Sequence, residues 1–138
     1  MQTESDKLAH ALAQGAAQYE SIKEMVDALR KAREDDDSDA EDEARTRILE
    51  DALSVEVRSD WYSSGGESDL AEYRILLCWG GPAAQIIGEL GTHGEPESAT
   101  LQVRDWFAPW TAYTGEGDYA TLRGYLLDYA RCFYFGKS

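Results

Sequence analysis

The sequence has few of the residues that build metal sites and nucleophilic active sites. Its 138 residues include only two histidines and two cysteines. Cys78 and Cys132 have neither CxxC nor other metal-ligand spacing, so we expect buried, reduced thiols and a cytoplasmic protein. No GxSxG, P-loop, HExxH or GxGxxG motif is present. The sequence therefore predicts no enzyme, no metal ion and no cofactor.

Basic residues and long apolar runs are also scarce. Thirteen lysines and arginines face 27 acidic residues, which gives a formal net charge of -14. Phosphate backbones and anionic membranes repel such a protein, so we expect no direct nucleic-acid or membrane binding. No apolar stretch approaches the roughly 18 residues that suggest a membrane span, and the polar N-terminus does not resemble a signal peptide.

Aromatic residues, in contrast, are plentiful. Four tryptophans, eight tyrosines and three phenylalanines are enough large side chains for a real core in a chain of this length. Residues 1–53 read as an acidic helical region and residues 54–138 as a β-sheet core with a last helix. We expect the two regions to form one folded unit.

Apolar spacing predicts two N-terminal helices. The first runs from Asp6 to Arg33, and its apolar stripe consists of Leu8, Leu12, Tyr19, Ile22, Val26 and Leu29. Gly15 marks a bend or a close packing contact in it. The second runs from about Asp39 to Leu53, after a capping-box pattern of Ser38 and Glu41. Its inward residues are Ala44, Ile48, Leu49 and Leu53.

After Leu53 the apolar period changes from 3.6 to 2, which predicts strands. Val55, Val57 and Trp61 mark a half-buried first strand. Three more are expected at Tyr73–Trp79, Ala84–Leu90 and Thr100–Trp106. Asp118 is a good N-cap for a last helix that ends at Gly136. The predicted fold is α+β, with two helices, a four-stranded antiparallel sheet and one C-terminal helix.

The densest charge in the chain lies between the first two helices. Eight of ten residues there are acidic: Glu34, Asp35, Asp36, Asp37, Asp39, Glu41, Asp42 and Glu43. Duplex DNA carries one charge per roughly 1.7 Å of axis, and ten helical residues span about 15 Å. A helical run would therefore approach the charge density of DNA, and an extended one would not. The alternative is a solvated connection that keeps the protein soluble.

A calcium loop does not fit this acidic run. With Asp35 at position 1, Ala40 replaces the required glycine and Thr46 replaces the required glutamate. With Asp37 at position 1, Asp42 and Ile48 occupy those places. We expect only weak, non-specific cation binding.

The richest aromatic stretch spans residues 105–113, and it has two interpretations. Trp106, Trp110 and Tyr113 would suit a partner-binding platform, because tryptophan and tyrosine are enriched in interface hot spots. The favoured interpretation is that these rings close the core. Asp105, at the start of the stretch, is expected to bond Arg104, Arg58 or a backbone amide. A pocket collecting Asp105 with Glu89, Arg74 and His93 would favour an enzyme.

Four segments together resemble a family of small acidic proteins carried by proteobacterial phages, plasmids and genomic islands. They are residues 51–59, 75–83, 105–111 and 133–136. The resemblance covers residues 51–136, and it carries over no catalytic residue. It implies a mobile element in a bacterial host, a setting in which small acidic proteins often inhibit CRISPR or restriction nucleases.

These observations support two hypotheses. The first is a non-enzymatic inhibitor whose acidic surface imitates DNA and occupies the basic nucleic-acid-binding surface of a bacterial defence nuclease, with the aromatic segment supplying an apolar hot spot. The second is an adaptor or regulator that uses the aromatic segment, with the acidic run only solubilising. The two N-terminal helices, each with one apolar stripe, could pair within the chain or across a homodimer.

Overall fold

The computed structural model describes residues 4–59, 70–80, 82–91, 94–105, 108–115 and 117–133. Three helices are present: α1 at Glu4–Glu34, α2 at Ser38–Asp51 and α3 at Tyr119–Ala130. The strands are β1 at Ser54–Ser59, β2 at Leu70–Cys78, β3 at Pro82–Glu89, β4 at Thr100–Asp105 and β5 at Thr111–Ala112. Trp61, His93, Trp106 and Gly136, to which the sequence assigned roles, lie outside the described residues. The predicted end of the last helix at Gly136 is nevertheless wrong, because α3 ends at Ala130 and Arg131 is its C-cap.

The strands form one antiparallel sheet in chain order, β1-β2-β3-β4-β5. The α+β class and the meander are therefore confirmed. The predicted count of four strands is wrong, because the two-residue strand β5 pairs with Gln102 and Val103 of β4. Such a short strand has no periodicity that a sequence could reveal.

One face of the sheet carries the core. This inner face presents alternate residues of β2, β3 and β4, such as Ile75, Ile86 and Leu101, all fully buried. Helix α1 lies against β3 and β4, while α2 and α3 pack against α1. Side chains from residues 1–53 and from residues 54–138 share a single hydrophobic cluster. The two regions thus have one core, and α1 and α2 pair within the chain.

Gly15 of α1 is a close packing contact, one of the two roles that the sequence suggested. A Cβ atom there would lie 2.7 Å from the ring of Tyr113. The aromatic ring of Tyr113 therefore packs directly on the backbone of α1. Ala11 and Met25, which the predicted stripe did not include, are buried on the same helix.

Six of the residues predicted to face the core are substantially exposed. They are Leu8, Leu12, Leu49, Leu53, Val55 and Val57, with exposed fractions between 37% and 60%. Val55 and Val57 do point to the inner face, since they pair with Ile75 and Tyr73. The helices, however, cover β3 and β4 and leave this edge of the sheet open. The two-residue period correctly predicted the face on which Val55 and Val57 lie. It could not predict whether another element covers that face.

Candidate functional site

The acidic run forms the tip of a helical hairpin made by α1 and α2. At the end of α1, the Asp37 amide donates to the Ala32 carbonyl (2.9 Å) and the Asp36 amide donates to the Arg33 carbonyl (3.2 Å). This pair of bonds is a Schellman motif, which needs a left-handed residue where the helix stops. Asp36 supplies it, with φ of 54°. The connection is thus a short, hydrogen-bonded turn.

Asp37 begins the second helix of the hairpin. Its backbone is extended, and its carboxylate accepts a hydrogen bond of 3.1 Å from the Ala40 amide. The predicted capping box of Ser38 and Glu41 is therefore wrong. Ser38 is already the first helical residue, and the Glu41 carboxylate turns towards Arg33 and Arg45 instead. The N-cap is Asp37 and not Ser38, because Asp36 has already reversed the direction of the chain.

The eight carboxylates of this acidic tip, residues 34–43, point to solvent. Seven of the residues are exposed and only Glu41 is half-buried. Lys31 lies 3.3 Å from Asp35, and two arginines lie within 3.7 Å of Glu41. Among the described residues, no base forms an ion pair with the other six carboxylates: Glu34, Asp36, Asp37, Asp39, Asp42 and Glu43.

Three of the unpaired carboxylates share one side of α2. At 100° per residue, Asp39, Asp42 and Glu43 fall within an arc of about 100°, and all three are exposed. Glu41 lies on the opposite side, towards α1. The turn at residues 35–37 divides the run, so it does not form the single helical row that would match the charge spacing of duplex DNA. The arrangement is a compact cluster of negative charge.

Two acids further along the hairpin are hydrogen-bonded to α3. The Tyr125 hydroxyl donates to Asp27 and the Tyr129 hydroxyl donates to Asp51, each at 2.7 Å. Burial raises the pKa of Tyr129, and its hydrogen bond to Asp51 raises it further. These bonds fasten α3 to both arms of the hairpin. Glu20, Glu24 and Glu50 are exposed on the same hairpin, so negative charge extends beyond the tip, where it is densest.

The aromatic segment divides between core and surface. The ring of Tyr113 packs on the core and lies 6.2 Å from the ring of Tyr19, as the core-closing interpretation predicts. Trp110 is half-buried, and its ring lies beside Arg104 of the outer face. The structure therefore does not bring Trp110 and Tyr113 into one platform.

Trp110 instead belongs to a ladder that the sequence did not reveal. The guanidinium of Arg104 lies 4.4 Å from the Trp110 ring and 4.7 Å from the Trp79 ring. Trp79 is 63% exposed, the highest exposure among the large apolar residues described. Cation–π contacts with both rings hold an arginine that otherwise has a buried, unbonded Nε. Because Trp79 and Arg104 are 25 positions apart, no local motif could have indicated the contact.

The rest of the outer face forms a recess of about 630 Å³, lined mostly by charged and polar residues together with apolar ones such as Ile87. Ion pairs cross its floor between β1 and β2, joining Glu56 to Arg74 and Arg58 to Glu72. Gln85 is 4% exposed and donates to Gln102 at 2.7 Å, while its own Oε1 accepts no hydrogen bond. Arg104 lies diagonally across from Gln85 on the same face, within reach of a long side chain.

Asp105 finds a partner that the sequence analysis did not consider. It is 3% exposed on the inner face, and its carboxylate lies 3.4 Å from Nδ1 of His10 in α1. The expected bond to Arg104, Arg58 or a backbone amide stays a prediction. Glu89 and Arg74 line the outer-face recess, on the other side of the sheet. These three residues do not converge in one pocket.

The two thiols are free and half-buried. Burial raises the pKa of both Cys78 and Cys132, which keeps them in the less reactive thiol form. Within the described residues, no group of three acidic, histidine or cysteine side chains is arranged to hold a metal ion. No helix in the described part of the chain has the length and apolar content needed to cross a membrane.

The molecule is thus an α+β protein with a helical hairpin that carries an acidic tip beside a five-stranded meander. Comparisons with protein-family models, with curated proteins and with solved structures find no match for this chain. The geometry of the site is therefore the basis for a functional proposal.

Proposed function

We propose that this protein is a non-enzymatic inhibitor that inserts its acidic tip into the basic nucleic-acid-binding surface of a bacterial defence nuclease. The observation that carries the proposal is the cluster of exposed carboxylates at the tip, six of them without an ion pair among the described residues. The resemblance of residues 51–136 to small acidic proteins of mobile elements supplies the biological setting.

The shape of the tip favours a particular kind of contact. A rigid turn bonded at both helix ends presents its charges without first paying the entropy of ordering a loop. Because the charge is clustered and not linear, the tip suits a compact basic cleft better than a long duplex groove. A net charge of -14 would also steer the protein towards a basic partner and speed the encounter at low salt.

The direct test compares two variants with equal change in net charge. The tip variant carries D36N, D39N, D42N and E43Q, which leaves the paired Asp35 and Glu41 and the capping Asp37 intact. The control variant carries E50Q, E89Q, E95Q and E97Q at exposed positions away from the tip. Each is assayed for inhibition of DNA cleavage by purified restriction and CRISPR nucleases, at rising salt.

The expected loss follows from the strength of exposed charge pairs. At about 0.5 kcal/mol for each of four pairs, the tip variant loses about 2 kcal/mol, or roughly 30-fold in affinity. The control variant stays within a few-fold of wild type, and salt weakens wild-type inhibition. Equal losses in both variants, or inhibition that ignores salt, would refute tip-directed mimicry.

A second candidate function rests on the ladder of Trp79, Arg104 and Trp110. Tryptophan and arginine are the residues most enriched in interface hot spots, and this group is partly exposed on the outer face. An adaptor using it would lose partner binding in W110A and keep it in the tip variant. The inhibitor proposal expects the opposite pattern, so one pair of proteins separates the two functions.

A further inference from the structure

Strand β1 is an open edge with an unusual distribution of side chains. It pairs with β2 on one side, and no strand among the described residues pairs with its other side. Its inner face carries Val55 and Val57, which are 37% and 41% exposed. Leu53, just before the strand, is 60% exposed. An edge with exposed backbone groups and apolar side chains is a ready site for a further strand.

The charges on the outer face of β1 have a self-complementary order. Glu56 and Arg58 lie on that face, one residue before and one residue after Val57, whose own side chain is on the inner face. A two-fold axis perpendicular to the sheet and centred on Val57 would set Glu56 of one copy opposite Arg58 of the other. The same axis centred on Glu56 or on Arg58 would set like charges opposite each other, which destabilises strand pairing. Of these three registers, only the one centred on Val57 sets opposite charges against each other.

We propose that β1 pairs with β1 of a second copy of this chain, antiparallel about Val57, to form a two-fold dimer with a continuous ten-stranded sheet. Within each copy Glu72 already pairs with Arg58, and Arg74 with Glu56. Across the junction these pairs extend into two rows of alternating charge, each running Glu72, Arg58, then Glu56 and Arg74 of the second copy.

The inner face of the same junction brings apolar groups together. Val57 meets its own copy at the two-fold axis, next to Tyr73 of each sheet. The exposed valines thereby lose contact with water, which drives the association. A two-fold interface of this kind is isologous, so a single self-complementary strand is sufficient. This inference is independent of the proposed inhibition, because it uses no residue of the acidic tip.

Charge exchange tests the register. E56K would place two positive charges opposite each other at both ends of the junction, and R58E would place two negative charges there. Each variant alone should therefore be monomeric. Mixed in equal amounts, they set opposite charges against each other again and should form a heterodimer. R74Q is the matched control, because it removes the intrachain partner of Glu56 without changing the facing residues.

The measurement is mass by sedimentation equilibrium over a range of concentrations, with circular dichroism to check folding. Wild type and R74Q should double in mass, the two exchange variants should not, and their mixture should. A wild type that stays monomeric at the highest concentration overturns the proposal. A dimer that survives E56K and R58E, or a mixture that does not associate, overturns it as well.

A cysteine placed at the axis gives a second, independent readout. Directly opposed residues of antiparallel strands have Cα atoms about 4.5–5.5 Å apart, which is within the range that a disulfide spans. V57C should therefore form a covalent dimer under mild oxidation. V55C is the control, because Val55 faces residue 59 of the other copy and should cross-link poorly. Equal cross-linking by both variants would refute the register.

Discussion

One side chain, Asp37, caps helix α2 at the acidic tip, and its replacement has a calculable effect on stability. Asp37 accepts the hydrogen bond that satisfies the Ala40 amide at the start of α2. Replacing an aspartate N-cap by alanine costs typically about 1 kcal/mol. Removing a charge from a crowded acidic cluster relieves repulsion, which stabilises the folded protein by about 0.2–0.5 kcal/mol. We therefore expect D37A to lower the free energy of unfolding by about 0.5–1 kcal/mol.

Two neighbouring variants separate the hydrogen bond from the charge. D37N keeps an acceptor oxygen and removes the charge, so it should stay within about 0.5 kcal/mol of wild type, because asparagine caps as well as aspartate. S38A should also have little effect, since Ser38 is exposed and is not the cap. Alanine at position 37 alone should therefore destabilise the protein.

Thermal unfolding followed by circular dichroism measures the difference. At about 2.1 cal/mol/K per residue, 138 residues give an unfolding entropy near 290 cal/mol/K, so D37A lowers Tm by about 2–3 °C. Amide exchange at Ala40 should become faster in D37A and remain slow in D37N. If S38A lowers Tm as much as D37A does, Asp37 is not the main cap of α2 and Ser38 caps the helix instead.

Three further predictions follow from the described geometry. Asp36 holds a left-handed conformation, so D36G should raise the free energy of unfolding by about 0.5–1 kcal/mol in urea titrations. A Cβ at Gly88 would lie 2.0 Å from the Ser98 carbonyl oxygen, so G88A should destabilise by about 3 kcal/mol in the same assay. Burial raises the pKa of Tyr73 and of Tyr129, so the folded protein keeps protons that the unfolded chain loses above pH 10. Below pH 10 these groups should not affect stability. Above pH 10 the free energy of unfolding should fall by about 1.4 kcal/mol per pH unit for each tyrosine, and Y129F should remove the contribution of Tyr129.

The order of elements was predictable because periodicity is a local property. Spacing placed both N-terminal helices and four of the five strands, and Asp118 caps α3 as expected, with its carboxylate accepting from the Ala120 amide. Burial was less predictable. Val57 alternates as a buried residue would, yet β1 is an edge strand beyond the cover of the helices. Alternation defines a face, and only tertiary packing decides whether that face is covered.

The candidate site shows the same division between local and long-range information. The eight carboxylates are visible in the sequence, but three consecutive aspartates and a serine offer four possible caps. Backbone geometry chooses among them, because the left-handed Asp36 makes Asp37 the first residue free to cap α2. The His10–Asp105 contact and the arginine ladder join distant segments, so only the fold could bring them together.

The acidic tip and the β1 edge are connected by a single element, and that connection makes their interplay testable. Helix α2 has 14 residues, so it places the tip about 21 Å from the start of β1. A dimer through β1 would carry two tips, and a target with two basic sites would then be held by avidity. If the protein is the inhibitor proposed above, inhibition by E56K or R58E alone should be weaker than that of wild type by tenfold or more, and the equal mixture should restore it. If both exchange variants inhibit as wild type does while remaining monomeric, one tip is sufficient and the dimer serves another purpose. If the mixture dimerises without regaining inhibition, the residues at positions 56 and 58 contact the target themselves.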